Sequence, residues 1–117
     1  MNDGIVLRKS MDFAIRIVRL YKHLRDTQNE FIMSKQLLKS GTSVGANLHE
    51  AKYAQSRNDF ISKNSIALKE IAETQYWLEL LHKTDYLNPH EYSDINSDCD
   101  EIVKMLTSIV KSSKAKN

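Results

Sequence analysis

The chain has 117 residues, 41% hydrophobic and 27% charged, with a net charge of +2, three Gly, one Pro and one Cys. Its length makes it a single domain, 1–117, able to bury roughly two thirds of its unfolded surface around one core. So few turn formers argue against a sheet; no stretch nears the roughly twenty apolar residues of a membrane span, the N-terminus has no signal-peptide apolar core, and Cys99 has no disulfide partner, so a soluble, cytoplasmic, all-α protein is expected.

Charge is unevenly spread. Through Lys63 there are eleven Lys/Arg against six Asp/Glu, and from Asn64 onward six against nine. Such asymmetry suits either an anionic partner for the basic half or helices of opposite character that pack together within or between subunits.

Ile5, Val6 and Leu7 read as a short N-terminal arm, extended, ending at Ser10 as an N-cap. Phe13, Ile17, Leu20 and Leu24 then recur at helical spacing, with Met11, Ala14, Val18 and Tyr21 as a second row that widens the core-facing stripe. This predicts a helix over 10–26 with Arg16, Arg19, Lys22 and His23 on its remaining surface. Polar Asp26 to Glu30 reads as a connection. Ser34 is the expected cap of a second helix, 34–54, with Met33 and Leu38 placed as a hydrophobic staple.

Within that helix Gly41, Ser43 and Gly45 spell G-x-S-x-G, the pattern of a hydrolase nucleophile elbow. An elbow needs a strand before it, and Leu37, Gly41, Val44, Leu48 and Ala51 instead keep helical periodicity through the motif. Gly inside a helix costs about 1 kcal/mol relative to Ala, so the two glycines are expected at a close helix crossing. Ser43, Asn47 and Glu50 form one polar row, expected to bond an adjoining helix or subunit.

Ser56 with Asp59 resembles a capping box at the start of a third helix, 56–84. Phe60, Asn64, Ala67, Ile71, Thr74, Leu78 and Leu81 hold a heptad along it, two of them polar. A neighbouring face mixes Ile66, Glu70, Glu73, Trp77 and Leu80, a composition suited to partial cover by another chain, or else by the fourth helix. Asn88, Pro89 and Glu91 mark the clearest helix start, for 89–112, with Tyr92, Ile95, Cys99, Ile102, Leu106 and Ile109 on its core row and a basic, frayed tail from Lys111. Cys99 on that row reads as an inert thiol.

Two metal motifs are incomplete. Asp94, Asn96 and Asp98 begin an EF-hand loop, but Cys99 stands where Gly is required and Met105 where Glu is. His49 and Glu50 begin H-E-x-x-H, but Tyr53 replaces the second His. No metal, cofactor or enzymatic activity is expected.

The run S-K-Q-L-L-K-S-G-T-S-V-G-A-N-L-H-E-A from Ser34, S-R-N-D-F from Ser56 and I-A-L-K-E-I-A-E-T-Q-Y-W-L-E-L-L from Ile66 resembles the bacterial 23S rRNA intervening-sequence proteins, sometimes labelled ribosomal proteins. Ser43, Asn47 and Glu50 are its most distinctive part. That group is in turn similar to the accessory variability protein of diversity-generating retroelements, a basic pentamer that binds nucleic acid and a reverse transcriptase. The resemblance implies a four-helix bundle, a homo-oligomer that is a pentamer, and association with RNA. Many members read N-I-A-E-G and continue with basic residues, where this chain has Asn47-Leu48-His49-Glu50-Ala51 followed only by Lys52 and Arg57.

The combined expectation is an antiparallel up-down four-helix bundle with a short N-terminal arm. Its function is expected to be non-catalytic and RNA-associated, with Arg8, Lys9, Arg16, Arg19, Lys22, Lys35 and Lys39 as phosphate contacts. Gly41, Ser43, Gly45, Asn47, Glu50, Glu70, Glu73 and Trp77 are expected at helix or subunit contacts. The alternative is a protein-interaction scaffold that binds no nucleic acid.

Overall fold

Each amphipathic stripe forms one helix of a four-helix bundle, seen in a computed structural model that describes residues 3–115, with side chains from Gly4 onward. Helix α1 spans Asp3–Asp26, α2 Met33–Ala51, α3 Arg57–Lys83 and α4 Pro89–Ala115. The connections are short, so sequential helices run antiparallel, with α1 and α3 pointing the same way. Contacts follow the chain from α1 to α2 to α3 to α4 and close more thinly between α1 and α4, which puts α1 and α3 on a diagonal. The bundle measures 49 × 22 × 19 Å.

The core is the set of periodic positions read from the sequence: Phe13, Ile17 and Leu24 of α1; Leu37, Val44 and Leu48 of α2; Ala67, Ile71, Leu78 and Leu81 of α3; and Ile95, Cys99, Ile102 and Leu106 of α4. The expected N-terminal arm is instead helix, because Val6 falls on the same stripe as Phe13 and Ile17 and is itself buried. Ser10 is therefore an interior residue of α1, its hydroxyl donating to the Leu7 carbonyl at 2.8 Å. The second apolar row reaches the core only in part, since Met11 is 62% exposed. At the other end α4 continues to Ala115, so Lys111 to Ala115 of the tail expected to fray are helix, while Lys116 and Asn117 lie outside the described residues.

The helix ends show where capping chemistry was legible. Asn88 and Glu91 form a reciprocal capping box, with Asn88 N–H donating to Glu91 Oε1 at 2.9 Å and Glu91 N–H to Asn88 Oδ1 at 2.8 Å. Ser56 caps α3 by accepting from Asp59 N–H at 3.0 Å, while the Asp59 carboxylate reaches back to Gln55 N–H at 3.2 Å. Helix α3 ends in a Schellman turn: Tyr86 N–H donates to Leu81 O, Asp85 N–H donates to His82 O, and Asp85 takes the left-handed φ of 71°.

Helix α2 departs from expectation: Ser34 lies inside it, and the carboxylate of Glu30 caps it. That carboxylate accepts from the amides of Ile32, Met33 and Ser34 at 3.1, 3.1 and 2.6 Å, and the Ser34 hydroxyl donates back to the Glu30 carbonyl. Three orphan amides are thus met by one negative charge at a helix N-terminus, where the backbone dipole favours it.

Candidate nucleic-acid and subunit surfaces

The basic residues singled out from the sequence divide by what surrounds them. Arg16 projects from α1 toward α4, where its guanidinium bridges Asp98 and, at 2.7 Å, Asp94. Partial burial works against its charge, but the hydrogen bonds to Asp98 and Asp94 outweigh that and hold its pKa above the ordinary value. Lys9 pairs with Glu101 of α4 at 2.7 Å. These ties lie along the thin α1–α4 edge, so part of the charge asymmetry is consumed inside one chain: a helix from the basic half meets one from the acidic half.

Arg8, Arg19 and Lys22 face solvent from the outer side of α1, and Lys35 and Lys39 from the outer side of α2. None of the five has an ion-pair partner among the described residues. Their settings differ. The α1 cations lie near Met11 and Ile15, large apolar side chains 62% and 42% exposed, with the exposed Asp12 among them, whereas Lys35 and Lys39 stand one helical turn apart on α2, just after the exposed Phe31 and Ile32. A groove of about 570 Å³ between α1 and α2 runs past Met11, Ala14, Gly45, His49 and Lys52.

The two glycines play unequal parts. A Cβ on Gly41 would lie 2.8 Å from Ile17 Cγ2, so the α1–α2 crossing is closed there, while a Cβ on Gly45 would meet Ser10 at an ordinary 3.5 Å. The polar row is also mostly local. Ser43 donates to the Lys39 carbonyl at 2.7 Å and Asn47 to the Ser43 carbonyl at 2.9 Å, both within α2, and only Glu50 reaches another helix, through Lys63 of α3 at 3.1 Å. Of the two polar heptad positions, Asn64 donates to the Phe60 carbonyl on its own helix, and the Thr74 hydroxyl bonds both the Glu70 carbonyl of its own helix at 2.8 Å and, at 2.9 Å, the Ser40 hydroxyl of α2.

On α3, Glu73 accepts from Trp77 Nε1 at 3.0 Å, and Tyr76 packs edge-on against the Trp77 indole. Trp77 is half-buried against the core, but Tyr76 is 57% and Ile66 37% exposed, so α4 does not cover this face. Glu70 and Glu73 have no ion-pair partner among the described residues.

Other chemistry finds little footing. Cys99 is fully buried, and burial, with Asp100 and Asp98 nearby, pushes its thiol up to about 12. Ser43, centre of the elbow-like motif, sits in mid-helix with its hydroxyl committed to a backbone carbonyl. Among the described residues no group of three or more His, Cys, Asp or Glu comes together as a metal site, and no helix is long and apolar enough to cross a membrane.

The family model for 23S rRNA-intervening sequence proteins matches residues 2–108. The chain belongs to that family. A solved structure from Bacteroides thetaiotaomicron, described as a protein with unknown function from the S23 ribosomal protein family, superposes with a TM-score of 0.94 at 58% identity, covering 95% of this chain and 99% of that one. No curated protein matches.

Among the described residues Lys9, Arg16, Arg25, Lys63 and Lys83 have ion-pair partners and the other Lys and Arg have none. The sequence alone could not separate the paired from the unpaired ones. Arg16 and Arg19 look alike in the helical pattern, and only the position of α4 beside Arg16 distinguishes them. The sequence reading also missed Ile15, whose exposure has no signal in a helix that is apolar on two adjoining rows.

Proposed function

We propose that the protein is a non-catalytic, homo-oligomeric bundle that associates with RNA, in keeping with its family. The observation that carries the RNA reading is the outward ridge of Lys35 and Lys39, exposed and without ion-pair partners among the described residues. Two such cations per chain are too few for tight binding alone, since each phosphate contact contributes mainly by releasing counterions. Repetition of the ridge in an oligomer, a pentamer by the family resemblance, raises the effective concentration of contacts and turns weak sites into useful avidity. The absence of catalysis is argued from Cys99 and Ser43, the two nucleophile candidates, both of which are tied up in the fold.

The test is fluorescence anisotropy on labelled 23S rRNA fragments across a salt series. Binding should appear at low salt and weaken as salt rises, with a log–log slope of about −0.7 to −0.9 for each phosphate engaged. Lys35→Glu with Lys39→Glu should lower affinity at least tenfold and flatten the slope, with circular dichroism unchanged. No binding by the wild type at low salt, or full binding by the double variant, would overturn the reading.

A further inference from the structure

The two ends of the bundle are packed differently. Where α1 and α3 finish and α2 and α4 begin, the core closes on large side chains, Leu24, Leu37, Leu78, Leu81 and Leu87. At the opposite end the buried inward positions carry Val6, Ala51, Asn64 and Ala67, which are too small to fill the space between four helices. A pocket of about 270 Å³ remains there, partly open to solvent.

Every helix gives this pocket an apolar wall: Val6 from α1, Ala51 from α2, Phe60 from α3 and Ile109 from α4. The exposed Lys52 and Ser56 stand at its mouth. Asn64 lines its inner part, two turns along α3 from the Ser56 cap, about 12 Å at the helical rise. The Asn64 side chain is 2% exposed, and its Nδ2 donates to the Phe60 carbonyl at 2.8 Å, which fixes the orientation of the amide. Its Oδ1 accepts no hydrogen bond among the described residues. A buried acceptor without a donor calls for a reason, because in leaving bulk water it has gained no partner. Bound water suits the site poorly. A buried water takes roughly two to four polar partners, and the walls around Oδ1 are apolar.

We infer that this pocket binds a small organic molecule with an apolar ring body and one N–H or O–H donor. The rings lie between Val6, Ala51, Phe60 and Ile109, and the donor bonds Asn64 Oδ1. Volume sets the size: an apolar cavity of roughly 150 Å³ accepts benzene, so this larger one suits a fused pair of rings. Displacing poorly bonded water from the walls gives affinity, and the lone acceptor gives selectivity. A ring system with no donor leaves Oδ1 unpartnered, and one that presents an oxygen there sets lone pair against lone pair. The site goes beyond the RNA reading and is independent of it, since Lys35 and Lys39 lie toward the other end of the bundle.

The experiment is amide NMR on the isotope-labelled full chain, titrated with indole and with benzofuran, which keeps the shape and has an oxygen in place of the N–H. Each is added to about 2 mM, the range in which so small a ligand binds. Indole should shift the amides of Val6, Ala51, Ala54 and Phe60 saturably, and should bind about three- to tenfold tighter than benzofuran, as one hydrogen bond allows. Asn64→Ala keeps the walls and removes the acceptor, so the two compounds should then bind equally. Ala51→Leu should weaken both, with circular dichroism as the folding check. The comparison of the two compounds on the wild type needs no variant to fold. No saturable shift with indole, shifts centred elsewhere, equal affinities in the wild type, or a preference for indole that survives Asn64→Ala would overturn the site.

Discussion

Ile17 and Gly41 meet so closely that a single added carbon would collide with both γ carbons of the isoleucine, at 2.8 and 2.9 Å. These carbons branch next to a fully buried backbone and cannot swing aside. Gly41→Ala should therefore lower the melting temperature: overpacking costs about 1–3 kcal/mol against a gain of about 1 kcal/mol in helix propensity. Gly45→Ala should raise it, because its Cβ would sit at an ordinary 3.5 Å from Ser10. In an Ile17→Ala background the sign at Gly41 should reverse, and thermal melts of the four variants check this.

The buried hydroxyl pair of Ser40 and Thr74 ties α2 to α3 at the centre of the bundle. Thr74→Val keeps the shape and removes the partner, leaving the Ser40 hydroxyl only a long 3.4 Å bond to the Leu37 carbonyl. The expected loss is about 1–3 kcal/mol, much of it recovered in Thr74→Val with Ser40→Ala, where no hydroxyl is stranded. Urea titration of the single and double variants measures the coupling. Additive losses would count against it.

Glu30 gives the fold a dependence on acid. Burial alone would raise its pKa, but the hydrogen bonds from Ser34, Met33 and Ile32 outweigh burial and lower it below the usual carboxylate range. A group whose folded pKa is depressed contributes fully above its unfolded value, about 4.3, and loses that contribution as pH falls through the lower, folded one. Glu30→Gln should remove about 0.5–2 kcal/mol at neutral pH, as the loss of a cap does, and little at low pH, where Glu30 of the wild type is itself protonated and neutral. Stability curves that stay parallel from pH 7 to pH 2 would contradict this.

Arg16 and Arg19 should separate cleanly. Arg16→Glu places a third negative charge beside Asp94 and Asp98, so it should lower stability and loosen the α1–α4 edge, seen as faster amide exchange in the first turns of α4. Arg19→Glu should leave the stability of an isolated bundle within about 0.5 kcal/mol, as is usual for exposed sites. Equal effects at both positions would mean that the α4 contacts carry no weight.

Much of this protein was written into its periodicity. The heptad of Phe60 to Leu81, the stripe of Phe13 to Leu24 and the capping box of Asn88 and Glu91 each depend on neighbours a few residues away, so local spacing was enough to specify four helices and most of their buried faces. The same holds for rejecting the elbow at Ser43, since an apolar row runs straight through it. The start of α1 was misread because Val6 is stabilised by its position in the bundle more than by any signal near Ser10, and Glu30 was overlooked because a carboxylate capping from outside the helix depends on how the chain enters α2.

What only the tertiary structure decided concerns relations between helices. Gly41 and Gly45 are alike in sequence and differ because Ile17 faces one and Ser10 the other. Arg16 and Arg19 are alike and differ because α4 lies beside the first. The polar row of Ser43 and Asn47 bonds its own helix, through carbonyls one turn back. Spacing along a helix records which face a residue occupies; what stands opposite that face depends on how the helices are arranged, and no local pattern carries that.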